Sequence, residues 1–258
     1  MPFPSLRVDG LAALVTGAGS GIGRALALGL AENGADVALT ELPDRLADAE
    51  AAAREVAAQT GRRAVAIPLD VRDVASIQPA VDRAAAGLGR LDVLVNNAGV
   101  QRARPALDIT EDDWDFVVDV DLKGVFFAAQ AAARAMVAAG RGGRIVNVAS
   151  INGLVGYYNR APYCAAKGGV VNLTRQLAVE WAPLGINVNA IAPTYILTPL
   201  TQPTLSQPDV RADILRRTPL GRIGQLEDLV GAVVYLASPA AAMVTGQTLA
   251  VDGGWTAM

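Results

Sequence analysis

The chain has 258 residues, 52% of them hydrophobic and 18% charged, which is enough apolar material for a large core and excludes a mainly disordered chain. Its net charge of −3 gives no basic excess for nucleic acid or an anionic membrane surface. It has no histidine and one cysteine, Cys164, which excludes His-dependent triads, His-bearing metal sites and an intramolecular disulfide.

The opening MPFPSLRVDG lacks the apolar stretch of a secretory signal. No run reaches the roughly 18 apolar residues of a membrane helix. A cytoplasmic protein with no metal, no nucleic acid and no membrane partner is expected. Apolar runs predict strands at Ala12–Thr16, Val37–Glu41, Ala64–Leu69, Val93–Asn96, Arg144–Val148, Asn187–Ile191 and Thr248–Val251. Between them, Ala-rich stretches of helical period predict helices near 22–33, 43–60, 73–88, 111–139, 162–181 and 226–237. Near-continuously apolar strands that alternate with helices indicate a seven-stranded parallel sheet with helices on both faces. Right-handed crossovers make it a doubly wound, Rossmann-type α/β fold. One dinucleotide-binding and catalytic domain over 1–258 is expected. Within it, 193–224 carries Pro193, Pro199, Pro203, Pro208 and Pro219, a density that breaks regular helices. The segment reads as a substrate lid or as a surface excursion.

Residues Thr16-Gly17-Ala18-Gly19-Ser20-Gly21-Ile22-Gly23 follow the first strand and open the first helix. A dinucleotide pyrophosphate meets a helix N-terminus at such a place, and glycines let the backbone turn tightly and approach the phosphates. Gly17, Ser20, Gly21, Ile22 and Gly23 are the candidate contacts, although such a turn can also serve helix–sheet packing alone. Glu41 ends the second strand. A carboxylate there accepts hydrogen bonds from both adenosine ribose hydroxyls and repels a 2′-phosphate, which favours NAD over NADP. Arg45 is the nearby cation that argues the other way.

Tyr163 and Lys167 stand four apart on a predicted helix and so share one face. A phenol with a reference pKa near 10 is a poor base at neutral pH, but a nearby ammonium favours the phenolate. Such a pair can take a proton from an alcohol or return one to a ketone without histidine. Ser150, just after the fifth strand, can hydrogen-bond the reacting oxygen. A Tyr-x-x-x-Lys spacing alone also describes many helix surfaces. Cys164, next to Tyr163, reads as a small buried residue.

In combination these motifs resemble the short-chain dehydrogenase/reductase family. The resemblance covers nearly the whole chain: Thr16–Gly23, Asp70-Val71, Asn96-Asn97-Ala98-Gly99, Ser150, Tyr163 and Lys167 come first, in that order. Thr218-Pro219-Leu220-Gly221-Arg222, Thr245-Gly246-Gln247 and Val251-Asp252-Gly253-Gly254 follow. The resemblance implies that Tyr163 is the acid/base and that Lys167 lowers its pKa and binds the nicotinamide ribose. Ser150 would hold the substrate oxygen. Asp70 and Val71 would border the adenine, and Asn97, Ala98 and Gly99 would line the cofactor strand. Pro193, Ile196 and Thr198 would meet the nicotinamide end. It also implies a homotetramer built through the long helices and the C-terminal strand.

Two positions depart from the family pattern. Asp121, in Val120-Asp121-Leu122-Lys123-Gly124, stands where Asn is usual. An ionised Asp only accepts hydrogen bonds, and its charge near Lys167 would raise the Tyr163 pKa and displace the pH profile upward. Thr194 follows Pro193 where Gly is usual, which reads as a tolerated variant or a substrate-selecting side chain. The segment Asn97-Ala98-Gly99-Val100-Gln101-Arg102-Ala103-Arg104-Pro105 is similar to that of gluconate 5-dehydrogenases and related sugar-acid and polyol dehydrogenases. Arg102 or Arg104 could pair a substrate carboxylate, or both could be solvated or serve a subunit contact. Polar groups after Ser150, namely Asn152, Tyr157, Tyr158, Asn159 and Arg160, together with Thr198, Thr201, Gln202, Thr204, Ser206 and Gln207, suit a sugar, polyol or sugar acid. They also suit an exposed loop. The expected activity is NAD-dependent interconversion of a secondary alcohol and a ketone. The alternatives are a reductase of 3-oxoacyl thioesters or cyclic ketones, and a nucleotide-binding protein whose catalysis has decayed.

Overall fold

Val93, Leu94 and Val95 are all fully buried, which consecutive strand residues achieve only where a sheet is covered on both faces. The computed structural model, which describes residues 3–258, places them in a parallel sheet of order β3-β2-β1-β4-β5-β6-β7. The strands are β1 Ala12–Val15, β2 Asp36–Glu41, β3 Ala64–Pro68, β4 Val93–Asn96, β5 Gly143–Val148, β6 Ile186–Pro193 and β7 Thr248–Val251. The helices are α1 Gly21–Glu32, α2 Leu46–Thr60, α3 Val74–Leu88, α4 Glu111–Val118, α5 Val125–Ala139, α6 Ala161–Trp181, α7 Gln202–Leu205, α8 Pro208–Arg216 and α9 Glu227–Ala237.

The small side chains explain how tightly these layers pack. On one face, Leu26, Ala27 and Leu30 of α1, Ala49 and Ala52 of α2, and Leu229 and Val233 of α9 cover Ala13, Val15 and Val37 of the strands. A Cβ on Gly29 of α1 would lie 2.3 Å from a methyl of Val230 on α9, so glycine is what lets these two helices meet. On the other face, Ala80 and Val81 of α3, Ala129 and Met136 of α5, and Leu177 of α6 cover Ala12, Leu14, Leu94 and Ile145. Each fully buried Leu or Ile contributes roughly 1.5–3 kcal/mol.

Chain order reverses beside β1: β2 and β3 lie on one side of it and β4 to β7 on the other. In doubly wound sheets the ligand crevice opens at this switch point, beyond the carboxyl ends of the strands.

Two elements differ from the sequence expectation. The predicted helix over 111–139 is interrupted by a turn of π-helix at Asp119–Gly124, which joins α4 to α5. The proline-rich 193–224 segment holds two short helices, α7 and α8. Pro203 and Pro208 sit in their first turns, where the missing N–H costs nothing and the fixed φ suits the helix. Leu205 and Ile214 from these helices pack with Ile151 and Trp255. Among the described residues, no helix is long and apolar enough to cross a membrane, and no cluster of three or more His, Cys, Asp or Glu could hold a metal.

Candidate active site

The glycine turn after β1 is shaped by contacts that leave no room for side chains. Gly17 and Gly21 have φ of +61° and +54°, a region that favours glycine. A Cβ on Gly23 would lie 2.3 Å from the Gly17 carbonyl and 2.4 Å from Asn97 Nδ2. Asn97 braces the turn, its Nδ2 donating to the Thr16 and Gly17 carbonyls at 2.9 Å each. Thr16 Oγ1 accepts from the Asn97 and Ala98 amides at 3.0 Å each. Ser20 is the N-cap of α1, yet its hydroxyl makes no capping bond. Ile22 is half-buried against the core. The result is a bare N-terminal cradle of the kind that receives a pyrophosphate.

Glu41 is buried and folds over this turn. Its Oε2 accepts from the Gly19 amide at 3.2 Å and its Oε1 from the Leu42 amide at 3.0 Å. Arg45 is drawn to Asp48, with Nη2 to Oδ2 at 2.9 Å. Asp70 is gripped by Arg72, which holds its carboxyl below the ordinary carboxylate value. Val71 is buried against Gly124. The 193–224 segment arches back to the cradle, so that a Cβ on Gly21 would lie 3.8 Å from the Thr198 side chain. Pro193 ends β6, and Ile196 is buried and bridges to Gly224.

The catalytic candidates hang on α6, and a buried polar chain fixes that helix. Asn96 of β4 donates to Asn147 of β5 at 2.9 Å, and Asn147 donates to Thr174 of α6 at 2.9 Å. Such a fully satisfied network favours one register. The turn after Ser150 rests directly on α6, where a Cβ on Gly153 would lie 2.6 Å from the Lys167 carbonyl. Ser150 is buried, and its Oγ accepts from the Asn152 amide at 3.1 Å. Lys167 Nζ donates to the Val148 carbonyl at 3.0 Å and lies 5.6 Å from the Tyr163 ring centroid. Cys164, beside Tyr163, is a part-buried free thiol.

Asp121 enters this group from the π turn, fully buried. Its Oδ1 accepts from the Val100 amide at 2.8 Å, and its Oδ2 lies 3.2 Å from Lys167 Nζ. Gly99 lies against the pair, since a Cβ there would be 3.2 Å from Asp121 Oδ2. Burial lowers the Lys167 pKa, but Asp121 and Tyr163 together more than offset this and the ammonium is favoured. Burial raises the Tyr163 pKa; Lys167 opposes, Asp121 adds to the rise, and Ser150 and Arg160 pull it back. The net direction is upward, and burial is its largest cause.

The four substrate candidates separate. Asn152 is buried, with Oδ1 lacking a hydrogen-bond partner. Tyr158 is 72% exposed and packs edge-on against Tyr157. Arg102 and Arg104 turn to α4: Arg102 pairs with Asp112 at 2.7 Å and Asp113 at 2.9 Å, and Arg104 with Asp113 at 2.9 Å. The acidic first turn Glu111-Asp112-Asp113 claims both guanidinium groups. The sequence offers Arg160 as one of several polar groups suited to a sugar and the Thr194 hydroxyl as a tolerated or substrate-selecting variant, but it does not single out the Tyr195 hydroxyl. Arg160 Nε and the Thr194 hydroxyl oxygen are sealed from solvent without a partner. No local pattern signals such burial, which arises only when the loops after β5 and β6 meet.

A family model described as enoyl-(acyl carrier protein) reductase matches residues 17–256. The chain is 43% identical to 2-dehydro-3-deoxy-D-gluconate 5-dehydrogenase of Escherichia coli K12, over 100% of both chains. It is 43% identical to D-threitol dehydrogenase of Mycolicibacterium smegmatis, over 97% of this chain and 94% of that one. Among solved structures, gluconate 5-dehydrogenase from Burkholderia cenocepacia, in complex with NADP and tartrate, superposes with a TM-score of 0.93. It is 41% identical, with 98% of each chain covered. With its glycine cradle, Asn97–Gly99 strand end and Ser150–Tyr163–Lys167 group, the chain belongs to the short-chain dehydrogenase/reductase family.

Proposed function

We propose that this protein is an NAD-dependent oxidoreductase that interconverts a secondary alcohol and a ketone on a sugar, polyol or sugar acid. The observation that carries this reading is the gathering of Ser150, Tyr163 and Lys167, with Gly99 lying against Lys167 and two residues on from the Asn97 that braces the glycine cradle. The cradle fits a nicotinamide dinucleotide because Gly17, Gly21 and Gly23 leave bare backbone where a Cβ would clash or strain. When bound, that cofactor supplies hydride acceptance and donation. Gly17, Ser20, Gly21, Ile22 and Gly23 would hold its pyrophosphate, Glu41 its adenosine ribose, and Asp70 and Val71 its adenine. Asn97, Ala98, Gly99, Pro193, Ile196 and Thr198 would line its remaining length.

In alcohol oxidation, Ser150 Oγ hydrogen-bonds the substrate hydroxyl and Tyr163, as phenolate, takes its proton. The Lys167 ammonium stabilises that phenolate. In reduction the same phenol returns the proton. The partnerless Asn152 Oδ1 and Thr194 Oγ1 suit a hydroxylated substrate better than an acyl chain or a cyclic ketone. The complete Ser–Tyr–Lys group weighs against decayed catalysis. The 193–224 segment serves as the substrate lid, anchored by Leu205 and Ile214. Initial rates of NADH formation across polyols, aldoses and sugar acids test the reading, and no turnover of any hydroxylated class would overturn it.

Cofactor choice rests on Glu41, already held over the turn where a 2′-phosphate would meet it. The Burkholderia relative carries NADP, so both cofactors belong in the assay. Glu41→Ser is expected to raise the NADP-to-NAD ratio of kcat/KM by about tenfold or more, because like-charge contacts cost several kcal/mol. An unchanged ratio would remove Glu41 as the selector.

We also propose a homotetramer. Val179 on α6 is 76% exposed and Leu249 on the edge strand β7 is 41% exposed, and apolar side chains beside an unpaired sheet edge favour association. Light scattering is expected to give the mass of four chains. A single-chain mass at micromolar concentration would refute this.

A further inference from the structure

Arg160 occupies an unusual position for an arginine. It is 5% exposed. Among the described residues no carboxylate lies within ion-pair distance of it, whereas Arg102, Arg104, Arg217 and Arg222 are all paired. Its Nε is sealed from solvent with no hydrogen-bond partner. Buried charges are costly unless paired, so a folded chain that keeps a lone buried guanidinium needs a counterion from elsewhere.

Its position says where that counterion comes from. Arg160 is the N-cap of α6, three residues before Tyr163, and i,i+3 spacing puts the two on one side of the helix. The residue before it, Asn159, has φ of +58°, the only positive φ outside glycine among the described residues. Asn tolerates this left-handed conformation, and such outliers cluster at ligand sites. The positive charge of Arg160 acts on both Tyr163, the acid/base, and Tyr195 of the 193–224 segment. Asn152 Oδ1 is also without a partner, and the Tyr195 hydroxyl lies beside Arg160. The set combines one fixed cation with neutral hydroxyl-binding groups.

We propose that Arg160 is the carboxylate-binding residue of the site, and that the substrate is a hydroxylated carboxylic acid rather than a neutral polyol. This rests on the reading of the site as an alcohol dehydrogenase. The guanidinium fork matches a carboxylate in two parallel hydrogen bonds. It would hold the acid end of the chain while Ser150 and Tyr163 engage a hydroxyl further along. Arg102 and Arg104, bound to Asp112 and Asp113, are left to fix the loop after β4.

Calorimetric titration of the NADH complex with D-gluconate, and separately with neutral D-glucitol, tests this. Wild-type protein is expected to bind gluconate more tightly. Arg160→Gln is expected to lower the gluconate-to-glucitol affinity ratio by at least about tenfold. Arg160→Lys keeps the charge and guards against a folding defect, and is expected to lower the ratio by a smaller factor. An unchanged ratio in both variants, as for a guanidinium that meets an acid of a neighbouring subunit, would overturn the proposal. So would a wild-type protein that binds the two compounds alike. Failure of the dehydrogenase reading is distinct: gluconate would bind in an Arg160-dependent way, yet no NADH would form from gluconate and NAD.

Discussion

Replacing Tyr163 with Phe is expected to lower kcat by about a thousandfold or more, within the range that loss of a positioned acid/base causes, while NADH still binds. The phenol is the group of the site that can exchange a proton with the substrate oxygen. Ser150 donates and accepts hydrogen bonds but ionises far too weakly, and Lys167 is held as an ammonium by Asp121. Phe keeps the ring and its packing on α6, so the loss reports the hydroxyl alone. Single-turnover rates with NADH binding measured on the same sample make the check. A residual rate within tenfold of wild type would move the acid/base role to another group. Because Tyr163 is shifted above its ordinary value by burial and by Asp121, oxidation, which needs the phenolate, should accelerate as pH rises toward that value.

Lys167→Met is expected to be the second most damaging change, and on two separate scales. The phenolate loses its ammonium, so kcat for oxidation should fall by at least about a hundredfold. Asp121, fully buried 3.2 Å from Lys167 Nζ, loses its counterion; breaking a buried pair from one side costs up to about 3–5 kcal/mol, part of it relieved by protonation because burial already raises the Asp121 pKa. Thermal unfolding should show this as a lower Tm. Adding Asp121→Asn to Lys167→Met removes the stranded charge while its side-chain oxygen can still accept from the Val100 amide. The double variant should regain most of the stability and none of the activity. Asp121→Asn alone removes one contribution that raises the Tyr163 pKa, so the rising limb of the oxidation profile should move to lower pH. A double variant as unstable as Lys167→Met, or an unmoved limb, would show that the ion pair does not govern the site.

The strands were legible because parallel strands buried on both faces are written as unbroken apolar runs such as Ala12–Val15 and Val93–Val95. The cradle and the Ser–Tyr–Lys group were legible because their chemistry depends on residue type at fixed spacing. Helices α7 and α8 were not, since Pro203 and Pro208 read as breakers until their place in a first turn is known. The π turn was hidden because widening a helix by one residue leaves no residue signature along the chain. The roles of Arg102, Arg104 and Arg160 were indistinguishable along the chain. Only the tertiary structure shows that the first two face acids on α4 and that the third faces none.

The wide turn at Asp119–Gly124 also acts as a phase setter. A π turn carries one residue more than the α-helical turn it replaces, and one residue is about 100° of rotation around the axis. Deleting any single position between 119 and 124 would let α4 and α5 merge into one regular helix. Either Asp121 would then swing out of reach of Lys167, or Ala129 and Met136 of α5 would rotate off the sheet. Core packing and active-site charge are thereby locked to the same helical register. Point substitutions in this stretch can alter one while sparing the other, whereas a length change cannot.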